Sequence, residues 1–341
     1  MQSPSLATPR NPLFNSLVAS LSAARPGIYI LILVCSLLSG LAYKLRGEGV
    51  FACPASGYGL DYYLAHCETT GYADFDHGAF WFDLEPKARH SAATADVLFL
   101  GSSRMQFSFS TDETRKWFAS MGVPYYLLGF SYTENVQFAA PLLKELNPRA
   151  KMYVINVDRF FDDTRETPPA KQILHDSDAR SRYEDKQFWQ SIHRRICTAV
   201  PGVCGSRPAF FRSRIDGTWE LEGSTAVWNA VAKTTADGPA SETDQWNHFT
   251  ALGAEFLKSL PVDRHCVILT LAPSEATKRA EATAIASALG VTFIAPNLGD
   301  LKTFDGSHLD RPSAEKWSRA FFEEAGATIR ECLKDAKQVS R

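Results

Sequence analysis

The chain has 341 residues, enough for one large domain or two small ones, and its formal net charge is −2. A nearly neutral chain without a long basic run offers no electrostatic basis for binding nucleic acid. The sequence contains no zinc-type Cys/His spacing, no Walker A loop and no Gly-x-Gly-x-x-Gly motif, so it predicts neither a metal ion nor a cofactor.

The N-terminus differs from the rest of the chain. Residues 1–26 are rich in Ser, Pro and Ala and are predicted to form a disordered cytoplasmic tail. The following segment, 27–46, contains an uncharged, apolar run from Gly27 to Tyr43. With its flanking residues this run is just long enough to cross a bilayer, so we predict a transmembrane anchor. The alternatives are a buried core helix and a cleaved signal peptide, although the polar leader is long for a signal peptide.

The cysteines indicate the cellular compartment in which the protein folds. Apart from Cys35 in the apolar run, the chain has six, an even number that is typical of an oxidising environment. The close spacings predict two local pairs and leave one distant pair: Cys53–Cys67, Cys197–Cys204 and Cys266–Cys332. Six cysteines allow about 15 pairings, and six reduced cysteines in a cytosolic protein are the alternative. Taken with the anchor, the pattern favours a large periplasmic or extracellular domain.

Residues 47–95 show little periodicity and are predicted to form an irregular lead-in that packs on the main domain, 96–335. In the main domain, short apolar runs alternate with helical patterns. The predicted strands are Val97–Leu100, Tyr125–Leu128, Met152–Val157, Val267–Leu271 and Val291–Ala295. The predicted helices are 110–121, opened by a Ser-Thr-Asp-Glu capping box, 134–146, 275–289 and 313–333. This alternation predicts an α/β fold with a parallel sheet and helices on both faces.

Residues 158–245 interrupt the alternation. They contain Pro168-Pro169, many charges and scattered aromatic residues. We interpret this segment as an insertion of mixed loop and helix over the carboxyl edge of the sheet. It would form a lid, an acceptor groove or a surface segment without a role in the site.

Two short motifs, about 200 residues apart, supply the residue types of a serine acyl-transfer site. Gly-Ser-Ser-Arg at 101–104 follows the first predicted strand, and Asp-Gly-Ser-His at 305–308 follows the fifth. Because the carboxyl ends of parallel strands lie at one edge of a sheet, both motifs are expected there. A serine of the first motif would be the nucleophile, His308 its base and Asp305 the carboxylate that orients the base.

These motifs resemble those of the SGNH/GDSL hydrolase superfamily over roughly residues 96–333. The chain looks most similar to the membrane-anchored branch that O-acylates cell-envelope glycans, which includes DltD-like and AlgJ/AlgX-like proteins. The resemblance implies a flavodoxin-like three-layer α/β/α fold, anchored in the bacterial inner membrane with the catalytic domain in the periplasm. It also implies an oxyanion hole formed by the backbone N–H groups of Ser103 and Gly129 and the side chain of Asn156.

The chain departs from the family pattern at two points. Ser102 replaces the usual aspartate of the first block, a replacement familiar in the acyltransferase branch. The third block lacks the glycine before Asn156, and Asp158 on the same loop is a competing polar group. Arg104 is open to two interpretations, a contact with an anionic group or a structural salt bridge.

The resemblance implies that an acyl group, acetyl in our hypothesis, passes from Ser103 to a hydroxyl of a polysaccharide or glycolipid acceptor. A multipass membrane protein is the implied source of the acyl group. The close alternative is a carbohydrate acetylesterase with the same three residues. An alternative of another class is a non-catalytic glycan-binding or assembly subunit.

Overall fold

The computed structural model describes residues 26–47, 49–67, 72, 74–200, 202–223, 232–233, 243–275 and 277–339. The chain divides into two compact units, Met1–Val50 and Phe51–Arg341. Of the predicted disordered tail, residues 1–25 lie outside the described residues.

The strands are, in chain order, β1 (Tyr62–Cys67), β2 (Val97–Ser102), β3 (Tyr125–Phe130), β4 (Met152–Asn156), β5 (Ala209–Ser213), β6 (Trp219–Glu222), β7 (Ala232–Lys233), β8 (Val267–Thr270), β9 (Thr292–Phe293) and β10 (Lys302–Thr303). The helices are α1 (Pro26–Gly47), α2 (Asp76–Trp81), α3 (Pro86–Thr94), α4 (Ser103–Phe109), α5 (Asp112–Met121), α6 (Val136–Leu146), α7 (Pro168–His175), α8 (Ala179–Ala199), α9 (Thr243–Ser259), α10 (Arg279–Leu289) and α11 (Arg311–Val339). A short 3₁₀ helix spans Arg264–Cys266.

Helix α1 is the described part of the first unit. Among the described residues it is the helix that is long and apolar enough to cross a membrane, and none of its apolar stretch, Pro26–Leu45, is buried. It coincides with the anchor predicted at 27–46. Together with the disulfides described below, it indicates a membrane-anchored or secreted protein.

The second unit contains a sheet of five parallel strands in the order β3-β2-β4-β8-β9. Numbered along the chain within this sheet, the order is 2-1-3-4-5, which is the flavodoxin-like order. The strand order reverses between β2 and β4, where Val97 pairs with Met152 on one side and Tyr125 on the other. In such sheets, ligands bind beyond the carboxyl ends of the strands at this switch point.

Apolar side chains cover both faces of the sheet. Along β2, Leu98 and Leu100 belong to one buried cluster, which also contains residues of α6 and α10. The alternate residues Val97 and Phe99 belong to a second cluster, which contains residues of α5 and α11. Successive strand residues point to opposite faces, so two clusters mean helices on both sides of the sheet. The predicted α/β fold with a parallel sheet is therefore confirmed.

Two local features differ from prediction. Helix α4 was not predicted; it begins at Ser103 directly after β2, and the Ser102 hydroxyl caps it by accepting the Arg104 N–H at 3.3 Å. The cap of α5 is Thr111, which accepts the Thr114 N–H at 3.1 Å. The expected capping residue, Ser110, instead accepts the N–H of Trp219 in β6.

A second, antiparallel sheet has the order β1-β5-β6. Strand β1 comes from the lead-in at 47–95, which was expected to be irregular and also holds α2 and α3. Strands β5 and β6 come from the insertion at 158–245, for which loops and helices were expected. Because β1 pairs Tyr62 with Ser213, about 150 residues away, no local pattern in either segment marks the pairing.

Three disulfides occur in the second unit, and all three predicted pairs are confirmed. They join Cys53 to Cys67, Cys197 to Cys204 and Cys266 to Cys332, with Cα–Cα distances of 6.2, 5.6 and 5.6 Å. Cys35 is a free, exposed cysteine on α1. The last pair connects the 3₁₀ helix before β8 to α11.

Candidate active site

Ser103 lies at the switch point of the parallel sheet, as the first residue of α4 after β2. The turn that holds it is closely packed. A Cβ atom at Gly101 would lie 3.0 Å from the Cβ atoms of both Asn156 and Met105. Glycine at 101 therefore allows the nucleophile turn to lie directly against the end of β4.

His308 connects the two predicted motifs. Its Nε2 atom lies 2.8 Å from the Ser103 Oγ atom, and its Nδ1 atom lies 2.6 Å from Asp305 Oδ2. A carboxylate only accepts hydrogen bonds, so it holds the imidazole proton on Nδ1 and leaves Nε2 free to accept the serine proton. The structure thus brings Ser103, His308 and Asp305 into the geometry of nucleophile, base and orienting carboxylate.

The Asp305 carboxylate is held by its own loop. Its Oδ1 atom accepts the backbone N–H groups of Ser307 and His308, at 2.9 and 2.8 Å. Burial works to raise the pKa of Asp305, but the hydrogen bonds from His308 and from the backbone outweigh it, and the pKa is lowered. Asp305 therefore remains a carboxylate at neutral pH, as its orienting role requires.

Aromatic rings fix the position of the His308 imidazole. Phe304 stacks on it, with ring centroids 5.5 Å apart and an interplanar angle of 17°. Phe107 lies on another side, at 4.8 Å. Phe107 in turn contacts Phe210 of β5 and Trp219 of β6, at 5.2 and 5.5 Å. The insertion therefore contributes to the wall beside the candidate base.

Arg104 of α4 connects two loops at this edge of the sheet. Its Nε atom donates to Ser307 Oγ at 2.9 Å, and its Nη1 atom donates to Asp158 Oδ2 at 2.6 Å. Of the two interpretations left open by the sequence, the structure shows the salt bridge. Asp158, the competing polar group after β4, is engaged by this arginine.

Asn156, at the end of β4, is completely buried. Its Oδ1 atom accepts the Ala272 N–H at 2.8 Å, which assigns the other side-chain atom as the amide nitrogen. Within the described part of the chain, this Nδ2 atom is buried without a hydrogen-bond partner. A buried donor without a partner costs about 1–3 kcal/mol, so a ligand oxygen that accepts from it would relieve that cost.

The Gly129 backbone N–H, unlike the Asn156 amide nitrogen, already has a hydrogen-bond acceptor. It donates to the Gln106 side-chain oxygen at 3.1 Å, so this predicted oxyanion donor is already engaged. A Cβ atom at 129 would lie 2.7 Å from the Met105 Cε atom and 2.9 Å from the Ser102 carbonyl oxygen. The glycine is thus required for close packing under the nucleophile turn. The remaining expected donors are Asn156 and the Ser103 N–H, which begins α4 where helical N–H groups lack intrahelical acceptors.

Gln106 and Phe107 contribute to the candidate site but were not predicted from the sequence. Gln106 also donates to the Gly217 carbonyl, and so joins β3 to the turn between β5 and β6. Both residues follow Ser103 on α4, and that unpredicted helix is the reason they were overlooked. Their spacing of three and four residues from Ser103 was the available signal, since such residues share its helix face.

Among the residues that the structure describes, two groups of His and Cys side chains have ligand atoms within 4.8 Å of one another: His193, Cys197 and Cys204, and His265, Cys266 and Cys332. The cysteines of both groups form disulfides and therefore offer no thiolate to a metal ion. His193 also contacts the Tyr58 hydroxyl and the Cys53 carbonyl through its two ring nitrogens, each at 3.1 Å.

Comparison of the chain with protein-family models, curated proteins and solved structures finds no match. The superfamily resemblance therefore remains a prediction based on the motifs.

Proposed function

We propose that this protein is a membrane-anchored serine enzyme of the SGNH type, which transfers an acyl group, acetyl in our hypothesis, to hydroxyls of an envelope or secreted polysaccharide. The observation that carries the proposal is the continuous contact from Ser103 Oγ to His308 Nε2, at 2.8 Å, and from His308 Nδ1 to Asp305, at 2.6 Å. A serine hydroxyl becomes an effective nucleophile when a neighbouring imidazole takes its proton.

The reaction has two halves. Ser103 Oγ attacks the carbonyl carbon of the donor ester while His308 takes the serine proton. The tetrahedral intermediate expels the donor alcohol, which receives that proton from His308, and an acyl-serine remains. A sugar hydroxyl then attacks the acyl carbon, His308 accepts its proton and returns it to Ser103 Oγ, and the sugar ester leaves.

The oxyanion of each tetrahedral intermediate needs hydrogen-bond donors. Asn156 Nδ2 and the Ser103 N–H are the donors that we assign, because the Gly129 N–H is engaged by Gln106. Preorganised donors stabilise this charge without reorganisation during the reaction, and each contributes roughly 3 kcal/mol.

An acetylesterase differs from a transferase in whether water or a sugar hydroxyl attacks the acyl-serine. Two features favour transfer. The apolar helix α1 suits an enzyme that receives its acyl group at a membrane, from a multipass partner in our proposal. The insertion also contributes aromatic rings beside Phe107 and His308, a surface suited to contact with a sugar acceptor. We place the catalytic domain on the periplasmic side of a bacterial inner membrane, where its disulfides are stable.

The test compares the full wild-type chain in detergent with Ser103→Ala. Release of p-nitrophenol from p-nitrophenyl acetate is measured with and without oligosaccharides, and the sugars are analysed by mass spectrometry. Release that depends on Ser103 and yields acetylated sugar supports the transferase.

Release that depends on Ser103 but yields free acetate with every sugar favours the esterase. Equal release by wild type and Ser103→Ala contradicts catalysis and favours a glycan-binding or assembly subunit. That subunit would keep its cellular function in the Ser103→Ala variant, so a complementation assay in cells separates the two classes.

A further inference from the structure

A cavity of about 230 Å³ lies at the same edge of the sheet as Ser103, beyond the end of β3. Its lining consists of polar side chains around one aromatic ring: Tyr132, Thr133, Asn135, Arg159, Asp162, Arg165, Thr167 and Pro168. At about 30 Å³ per water molecule, its volume corresponds to roughly seven or eight waters. This is room for one sugar-sized ring rather than for an ion.

The backbone around the cavity is strained. Among the described residues, six that are not glycine have positive φ, and three of them line this cavity: Tyr132, Thr133 and Arg159, with φ of 65°, 59° and 55°. Each such conformation costs on the order of 1 kcal/mol or more and clusters at ligand clamps in other proteins. The Tyr132 side chain is 44 % exposed, and its hydroxyl forms a hydrogen bond with Asp74.

The polar lining has hydrogen-bonding capacity left for a ligand. Asp162 holds the Arg159 guanidinium at 3.0 Å. Arg165 is anchored through its backbone, whose carbonyl accepts the Asn135 side chain at 2.8 Å. In the part of the chain that the structure describes, no carboxylate lies within ion-pair distance of the Arg165 guanidinium, which is exposed. Its five N–H donors are therefore available to hydroxyl or carboxylate oxygens.

A row of rings connects this cavity to the candidate base. It runs from His308 to Phe107, Phe210, His66 and Tyr132, with ring-centroid steps of 4.8, 5.2, 5.7 and 6.1 Å. The steps place Tyr132 no more than about 22 Å from His308. A glycan chain of several sugar units can reach across any distance up to this limit.

We propose that the cavity beside Tyr132 is a second glycan subsite, which holds a sugar unit of the acceptor chain several units away from the hydroxyl that is acylated. The Tyr132 ring would pack against the apolar face of that sugar, and Arg165 would donate to its oxygens. This inference rests on the proposed function, and it adds that the acceptor is a chain of several units.

The test measures the preference for longer acceptors, with the full chain in detergent. The probes are β-1,4-linked oligomers of glucose, N-acetylglucosamine and glucuronic acid, each of two and of six units. For wild type, kcat/KM for acetyl transfer is expected to be at least tenfold higher with a hexamer than with the matching dimer. Tyr132→Ala should lower this hexamer-to-dimer ratio about tenfold, which corresponds to about 1.4 kcal/mol.

Conservative and control variants make the test specific. Tyr132→Phe keeps the ring and should keep the ratio, and Arg165→Gln should lower it. Phe188→Ala and Arg180→Gln, which replace exposed residues of α8, should leave it unchanged. A ratio near one in wild type overturns the proposal. So does a ratio that Tyr132→Ala leaves unchanged, because a merely structural role would slow both acceptors equally.

Binding provides a readout that does not depend on acyl transfer. Titration of Ser103→Ala with the same oligomers, followed by calorimetry, should show tighter binding of a hexamer than of its dimer, and Tyr132→Ala should remove the difference. If no oligomer binds at millimolar concentration, the subsite is contradicted. If Ser103→Ala and wild type release p-nitrophenol equally but hexamers bind through Tyr132, the proposed catalysis fails while the subsite stands.

Discussion

His77 lies fully buried between two carboxylates. Its Nε2 atom is 2.8 Å from Glu134, which is also buried, and its Nδ1 atom is 3.8 Å from Asp74. Burial alone lowers the pKa of His77, but the nearby Asp74 carboxylate and the hydrogen bond to Glu134 outweigh it and raise the pKa to about 9. The folded protein therefore holds an imidazolium that connects α2 to the loop after β3.

This pKa shift predicts a loss of stability at alkaline pH. Because the folded pKa exceeds the unfolded value, the contribution of His77 is fully present below about pH 6.5 and is lost as the pH rises through about 9. The free energy of unfolding should fall by up to about 3 kcal/mol over this range. Denaturation with guanidinium at several pH values, with disulfides intact, measures the fall.

The matched variant is Glu134→Gln, which removes one carboxylate from His77. It should lower the pKa of His77, so that the decline begins at a lower pH than in wild type. Identical pH profiles for the two proteins would contradict a charged His77.

Asn156 allows a test of the oxyanion assignment. In Asn156→Ala the Nδ2 donor is lost, and kcat should fall about 10²- to 10³-fold with little change in KM, because the donor acts in the transition state. Kinetics with p-nitrophenyl acetate measure both constants, and thermal unfolding checks the fold. A change confined to KM, or a rate close to that of wild type, would assign Asn156 a structural role through its bond to the Ala272 N–H.

The two short motifs predicted that Ser103, Asp305 and His308 lie together, and the structure places them in contact. Their types and spacing are informative without any knowledge of packing, while their catalytic roles stay a prediction. The hydrogen bond from the Gly129 N–H to the Gln106 side chain was not predictable from the sequence. It depends on Gln106, which reaches that N–H from α4, a helix absent from the predicted elements.

At the scale of elements, the second sheet is held to the parallel sheet by a buried ion pair. Arg212 of β5 is fully buried and donates to both carboxylate oxygens of Asp76 in α2, at 2.6 to 3.0 Å. It also donates to the carbonyls of Leu127 and Gly129 in β3. One side chain thus satisfies acceptors from two elements, α2 and β3, and β3 ends beside the candidate site.

Breaking this pair should be costly. In Arg212→Met, Asp76 is left as a buried, unpaired carboxylate, and the free energy of unfolding should fall by about 3–5 kcal/mol. The double variant Arg212→Met with Asp76→Leu removes the unpaired charge and should recover part of that loss. Chemical denaturation of the three proteins measures the difference. Equal stability of the single and double variants would show that the unpaired Asp76 carboxylate is not the source of the loss.

At the scale of the whole molecule, α1 and the three disulfides predict the membrane topology, with the second unit on the periplasmic side. We expect the full chain, produced in a Gram-negative host, to remain with the membrane fraction and to be digested by protease added to spheroplasts. Protection of a C-terminal tag from that protease would contradict the periplasmic location. An N-terminus that begins after α1 would instead identify a cleaved signal peptide.

The sequence by itself predicted the alternation of strands and helices that builds the parallel sheet and the motif residues of the candidate triad, and it favoured the three disulfide pairs over the other possible pairings. These depend on local periodicity and on short motifs, which act over a few residues. Tertiary structure decided the rest: the pairing of β1 with β5, the salt bridge of Arg104, the engagement of Gly129 and the cavity beside Tyr132. Each of these joins residues that are far apart in the chain or depends on an unpredicted helix, so packing and burial, rather than local preference, select the contact.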